Sequence, residues 1–139
     1  MLKCPKNRHK FMYIGSLKLK NPIFSAPMAG ISDLPYRLIM KRHGAALVYS
    51  EMISANGLFY SGKATRKLLL SSPEEHPLAV QLFGDTPERL AEATEQVEEY
   101  GELIDLNLGC PVRKVIRSGA GSALLREPNK VARIVAAVR

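Results

Sequence analysis

The residue best placed to do chemistry in this 139-residue chain is Cys110. It stands in Asn107-Leu108-Gly109-Cys110-Pro111, between two turn-makers. Pro111 biases the residue before it towards extended backbone and cannot donate a ladder hydrogen bond. Gly109 lets another group approach the main chain closely. A cysteine set this way after the apolar run Leu103, Ile104, Leu106 and Leu108 is presented at the end of a strand and aimed into a site. The competing reading is a small buried hydrophobe, which is what most free cysteines are. Asn107 three residues earlier, and Arg113, Lys114 and Arg117 close behind, favour the site. Two further side chains raise the same question. Gln81, inside Ala79-Val80-Gln81-Leu82-Phe83, and Asn107 are carboxamides among apolar neighbours. An unpaired buried amide costs about 1–3 kcal/mol, so each needs a ligand or neighbouring backbone as partner. Glu51 closes an apolar stretch and is expected to make a salt bridge. His43 and His76 are expected at the surface, and no His, Cys or carboxylate spacing suits a metal. Two cysteines, Cys4 and Cys110, are too few for a disulfide framework and read as free thiols in a reducing cytoplasm.

The elements that must hold these residues alternate. Pro22–Ala26 is a short strand candidate ending in the loop Pro27-Met28-Ala29-Gly30. Ser32 or Asp33 caps a helix over Leu34–His43, with Pro35 tolerated in its first turn and Gly44 after its end. Ala45–Met52 is the second strand, and Ile53–Lys67 holds one or two short helical turns. Ser71–His76 is a polar turn and Pro77–Phe83 the third strand. Thr86-Pro87-Glu88 starts a helix with Thr86 as its cap, Leu90, Ala93, Val97 and Tyr100 on its apolar face, and Gly101 at its end. Leu103–Leu108 is the fourth strand. Pro128 opens a last helix with Val131, Ile134, Val135 and Val138 inward. Four βα units in succession imply an α/β fold, a parallel sheet with helices outside, either doubly wound or barrel. Before them, Met1–Lys10 is basic and expected to be loosely attached, and Met12–Lys20 reads as a short hairpin or lid.

Composition narrows the class. With 46% hydrophobic and 24% charged residues the chain should be globular. No apolar run reaches the ~18–20 residues that span a membrane, and no apolar segment follows the basic start as a secretory signal requires. The formal net charge is +7. Residues 1–32 hold six Lys/Arg and no acid, and 111–139 hold seven against Glu127 alone. Basic patches flanking a site suit a polyanion such as RNA, and equally suit solvated helix faces.

Three spaced blocks resemble one family. Ile104-Asp105-Leu106-Asn107-Leu108-Gly109-Cys110-Pro111, followed by Val115 and Gly121-Ser122, is similar to the signature of the tRNA-dihydrouridine synthases. Ala26-Pro27-Met28-Ala29-Gly30 resembles that family's first flavin-contacting loop, and Gln81 matches its flavin-binding glutamine. The resemblance implies a (β/α)8 TIM barrel whose sites lie at the C-terminal ends of the strands. It implies FMN as cofactor, held here by Pro27, Met28, Ala29 and Gln81, with NADPH as reductant and tRNA as partner. Asn107 would contact the uracil or position the cysteine loop. Reduction of the uracil C5=C6 bond takes a hydride at C6, from reduced FMN, and a proton at C5, for which Cys110 is the implied donor. An ordinary thiol, with a reference pKa of ~8.5, is largely protonated at neutral pH.

Residues 1–20 are therefore expected to form a basic segment and hairpin, and 21–139 the N-terminal half of the barrel, about its first four βα units. A full barrel takes ~250 residues. The family's later lysine, histidine and glycine-rich phosphate site are expected to lie outside such a half. Two other readings stand beside the tRNA enzyme: a related FMN barrel acting on a free pyrimidine, and a non-catalytic half-barrel. Self-association of the half-barrel is one way to cover two open sheet edges.

Overall fold

The computed structural model describes residues 11–60 and 62–139. The basic segment 1–10, with Cys4, and Ser61 lie outside the described residues. The described residues open with an antiparallel hairpin, β1 (Met12–Ile14) and β2 (Leu17–Leu19), turning at Gly15, whose φ of 56° is left-handed. Helix α1 (Leu34–Arg42) follows, capped by the Asp33 carboxylate accepting from the Tyr36 N–H and ended before Gly44 at φ 100°. Strands β3 (Val48–Tyr49) and β4 (Ile53–Ser54) lead into two short helices, α2 (Ala55–Phe59) and α3 (Lys63–Lys67). A 3-10 turn at Pro73–Glu75 precedes the central strand β5 (Leu78–Phe83). Then come α4 (Pro87–Val97), β6 (Leu103–Leu106), α5 (Arg113–Arg117), a 3-10 turn at Gly121–Arg126 and α6 (Pro128–Val138).

The sheet of β3 to β6 is parallel and runs in chain order. Pro77 and Ala79 carbonyls accept from Val48 and Ser50 on one edge of β5; Leu78 and Leu82 carbonyls accept from Glu102 and Asn107 on the other. Because β6 holds the second edge, β3 and β4 lie end to end on the first. Outside them, Phe24 makes a single parallel bridge to Leu47. The architecture is thus α/β with a sequentially ordered parallel sheet.

Alternation along the strands divides the core in two. Val48, Leu78, Val80 and Leu82 face the helices and pack with Leu90, Ala93, Val97, Leu124 and Ile134. Burying side chains such as Leu78 and Leu90 contributes roughly 1.5–3 kcal/mol each, before chain entropy. Leu47, Ala79 and the half-buried Tyr49 and Leu103 face the other way, against Leu19 and the hairpin. The hairpin covers only the N-terminal end of that inner face. Further along the same face, at the C-terminal end, the alternation places Gln81, Asp105 and Asn107.

Several expectations are corrected. The second strand is not continuous over Ala45–Met52; it breaks at Ser50–Met52, and there the Ser50 hydroxyl accepts the Gln81 N–H at 2.9 Å in place of a ladder bond. Such an interruption beside a site re-aims the side chains on either side of it. The first strand shrinks to the Phe24 bridge. The fourth ends at Leu106, because the Asn107 side chain folds back onto its own loop. Thr86 occupies the cap position of α4, but its hydroxyl is buried and makes no cap bond. Pro87 has no N–H to satisfy there, and the Thr86 carbonyl accepts from Leu90. Val135 is exposed, while Ile134 anchors α6. Glu51 makes no salt bridge among the described residues; its carboxylate accepts the Gly30 N–H. No helix of the described residues is long and apolar enough to cross a membrane.

Candidate active site

At the C-terminal end of the sheet the loops after Phe24, β3 and β6 converge on an open cleft of about 440 Å³. Its apolar wall is Pro27, Met52, Leu106 and Leu108, and its polar groups come from Gln81, Asn107 and Cys110. Met28 and Ala29 belong to the same loop as Pro27 but do not line the cleft. Among the described residues no Lys or Arg is part of the lining.

The polar groups are tied to one another. Gln81 sits directly across from Asp105 in the β5–β6 register. Its Nε2 donates to Asp105 Oδ2 at 2.6 Å, and its Oε1 accepts from Asn107 Nδ2 at 3.0 Å. Asn107 Oδ1 in turn accepts the Gly109 and Cys110 N–H groups, at 3.1 and 2.9 Å. One further N–H and one lone pair on Gln81 have no partner among the described residues. Tyr49 shares this face; burial, and secondarily the Asp105 carboxylate, push its hydroxyl above the usual tyrosine value.

Cys110 is a half-buried free thiol whose backbone is gripped at both ends. Asn107 takes its N–H, and the Ser122 N–H donates to its carbonyl at 3.1 Å. Gly121 makes the second grip possible. It has φ 59°, and a Cβ there would stand 2.7 Å from the Cys110 carbonyl oxygen. The Gly121-Ser122 pair is therefore the floor under the cysteine loop. Behind Cys110, Arg113, Lys114 and Arg117 are exposed on α5.

The Pro27 loop is held differently. The Ser32 hydroxyl accepts the Met28 N–H at 2.8 Å and donates to the Met28 carbonyl at 3.0 Å. Arg37, 1% exposed, donates to the Ser32 carbonyl at 2.7 Å, to the Leu70 carbonyl at 2.7 Å and to Glu75 at 2.6 Å. Glu75 is fully buried and also accepts the Ser71 hydroxyl at 2.7 Å. The sequence did not single out this buried pair. Nor did it single out Asp105 or Ser50, although the spacing of Asp105 and Asn107 by two on a strand was a signal that they share a face.

A second concavity, of about 400 Å³, lies at the opposite end of the sheet, with Lys18, Lys20, Lys41 and Arg42 around it. Lys41 and Arg42 form the last turn of α1, where cations offset the helix dipole. Burial, and then Lys20, hold Lys41 below the usual lysine value. His76, on its rim, bonds Glu102 through Nδ1 at 2.8 Å.

Residues 24–139 match the family model described as dihydrouridine synthase (Dus). The chain is 46% identical over 125 residues to tRNA-dihydrouridine synthase B of Pasteurella multocida, covering 89% of this chain and 38% of that protein. It is 42% identical over 126 residues to tRNA-dihydrouridine synthase B of Pseudomonas aeruginosa, covering 90% of this chain and 38% of that protein. Against tRNA-dihydrouridine synthase B of Xanthomonas campestris pv. campestris the identity is 41% over 128 residues, covering 91% and 39%. The chain spans about two fifths of the length of these curated relatives.

Proposed function

The chain belongs to the dihydrouridine synthase family, and from that premise we propose that the protein carrying it reduces uridine in tRNA to dihydrouridine at the Gln81–Asn107–Cys110 cleft. The observation that carries the proposal is the convergence of Pro27, Gln81, Asn107 and Cys110, from three separate loops and strands, on one opening. We read 21–139 as the first half of a (β/α)8 barrel, with the hairpin covering its base; the sequential parallel order supports this.

The lining fits the ring end of FMN. A flat heteroaromatic ring wants an apolar wall and a few fixed polar groups at its edge. Pro27, Met52, Leu106 and Leu108 supply the wall, and the spare donor and acceptor of Gln81 supply the edge. Among the described residues the lining offers no cation for a phosphate, so that end of FMN belongs with other residues. When bound and reduced by NADPH, FMN supplies a hydride.

The chain's own residues do the rest. Adding two hydrogens across a C5=C6 bond needs one proton besides the hydride, and the Cys110 Sγ holds it beside the cleft. Asn107 and Ser122 keep that sulfur from wandering by fixing the backbone on both sides of it. A uridine must leave the base stack to enter. Arg113, Lys114 and Arg117, exposed on the helix that follows Cys110 in the chain, are the residues proposed to meet the tRNA phosphates.

The test compares substrates. The flavin-loaded protein is given NADPH with undermodified tRNA, or with free uracil, and dihydrouracil products are measured by mass spectrometry. Dihydrouridine in the tRNA arm alone supports the proposal. Reduction of free uracil at an equal or greater rate supports the free-pyrimidine reading instead. A protein that takes up no flavin overturns both.

A further inference from the structure

The row of polar groups on the inner face ends on Asp105, a carboxylate to which the proposed reaction gives no step. We propose that Asp105 is a positioning residue for Cys110: it fixes the sense of the Gln81–Asn107 amide row, and the row fixes the backbone that carries the thiol. Only the task assigned to Cys110 rests on the dihydrouridine synthase reading; the positioning rests on geometry.

The row has a terminator at each end. An ionised carboxylate can only accept, and a backbone N–H can only donate. Asp105 Oδ2 accepts from Gln81, Gln81 Oε1 accepts from Asn107, and Asn107 Oδ1 accepts from Gly109 and Cys110. Every contact therefore donates in one direction, from the cysteine loop towards Asp105. A half-turn of the Asn107 amide would set NH2 against the two backbone N–H groups. A half-turn of the Gln81 amide would set NH2 against NH2 at Asn107 and oxygen against oxygen at Asp105. Between its two ends each carboxamide has a single satisfied orientation. Without an acceptor at position 105, Gln81 loses the contact that holds its NH2 away from Asn107, and the Asn107 side chain loses its backing. The 2.6 Å contact to Asp105 is the shortest of the row, as expected where one partner is charged.

The test reads the cysteine loop directly and needs neither flavin nor tRNA. Hydrogen exchange at the Cys110 amide and alkylation of Cys110 by iodoacetamide, both located by peptide mass, are followed in the intact protein. Asp105→Leu should speed Cys110 exchange by about tenfold or more, the equivalent of one charge-assisted hydrogen bond. Asp105→Asn, which keeps an acceptor oxygen in place, should restore most of the protection. In a Gln81→Leu background Asp105→Leu should add almost nothing, because the row is already cut. Where Asp105→Leu does not fold, Asp105→Ser, too short to reach Gln81, takes its place in the cycle. Unchanged exchange and alkylation at Cys110, or full additivity with Gln81→Leu, would overturn the proposal. Absence of dihydrouridine formation by the unmutated protein would instead count against the function, and the exchange result would stand by itself.

Discussion

The loop at Pro27–Gly30 hangs from a buried ion pair, whereas the loop at Asn107–Pro111 hangs from a row of amides that ends on a partly buried carboxylate. The first is held from outside the sheet. Arg37 spends its donors on Ser32, Leu70 and Glu75, and Ser32 grips Met28. The second is held from inside, through Gln81 and Asn107, with Gly121-Ser122 as its floor. The two loops face one cleft but share no hydrogen-bond partner among the described residues. A buried ion pair is costly to break by halves, because the survivor is left charged in a dry place. The polar row opens on the cleft, and Gln81 keeps one N–H and one lone pair without a partner among the described residues. The difference predicts that damage to one loop leaves the other in place.

The largest expected effect is on the Pro27 side. Arg37→Met leaves Glu75 buried without its partner and should cost roughly 3–5 kcal/mol in denaturant unfolding. Amide exchange should rise at Met28 and Ser32 and stay unchanged at Cys110. The pair Arg37→Met with Glu75→Leu should recover most of the loss; failure to recover would mean that the carbonyl contacts of Arg37 matter more than its charge. Gly121→Ala strikes the other loop. It puts an L side chain at positive φ against the Cys110 carbonyl and should cost roughly 2–4 kcal/mol. Here exchange should rise at Cys110 and stay unchanged at Met28. Ser50→Ala is smaller: it leaves the buried Gln81 N–H unpaired, for about 1–2 kcal/mol by the same unfolding measurement.

The smallest effect lies far from both loops, at Glu102. Burial alone would raise its carboxyl, but the Leu78 N–H and the His76 ring outweigh it and hold the group below the ordinary glutamate value. The unfolded chain therefore binds its proton more readily. The stabilisation is complete above the ordinary value of ~4.3 and is lost as pH falls through the folded value. Glu102→Gln should flatten the acid limb of the stability curve and leave both loops undisturbed; parallel curves for the two proteins would remove Glu102 from the account.

Much of this arrangement is written locally in the chain. Asp33 before Leu34, Thr86-Pro87, and Pro128 mark helix starts that the structure has, and the short apolar run Leu78–Phe83 marks the central strand. The turn at Gly109-Cys110-Pro111 is equally local. What the sequence left open is partnership at a distance. Nothing local in the chain marks Arg37 as buried; Glu75 and the Leu70 carbonyl are brought to it from far along the chain. Asp105 reads as one charge in an apolar run until the β5–β6 register sets it opposite Gln81. Ala45–Met52 has the character of a continuous strand, and only the neighbouring strand shows that the chain breaks at Ser50–Met52 and that Ser50 serves Gln81 instead. A carboxylate such as Glu51 calls for a cation, and the group that reaches it is the Gly30 N–H.

In the proposed reaction the thiol in the loop after β6 gives a proton to a uracil ring. Dihydrouridine formed in tRNA by the flavin-loaded protein, unmutated and as Cys110→Ala, tests it most directly, with flavin absorbance recorded on both. The expected result is a loss of about 100-fold or more, the size of a general-acid contribution, at equal flavin content. Full turnover by Cys110→Ala would contradict it.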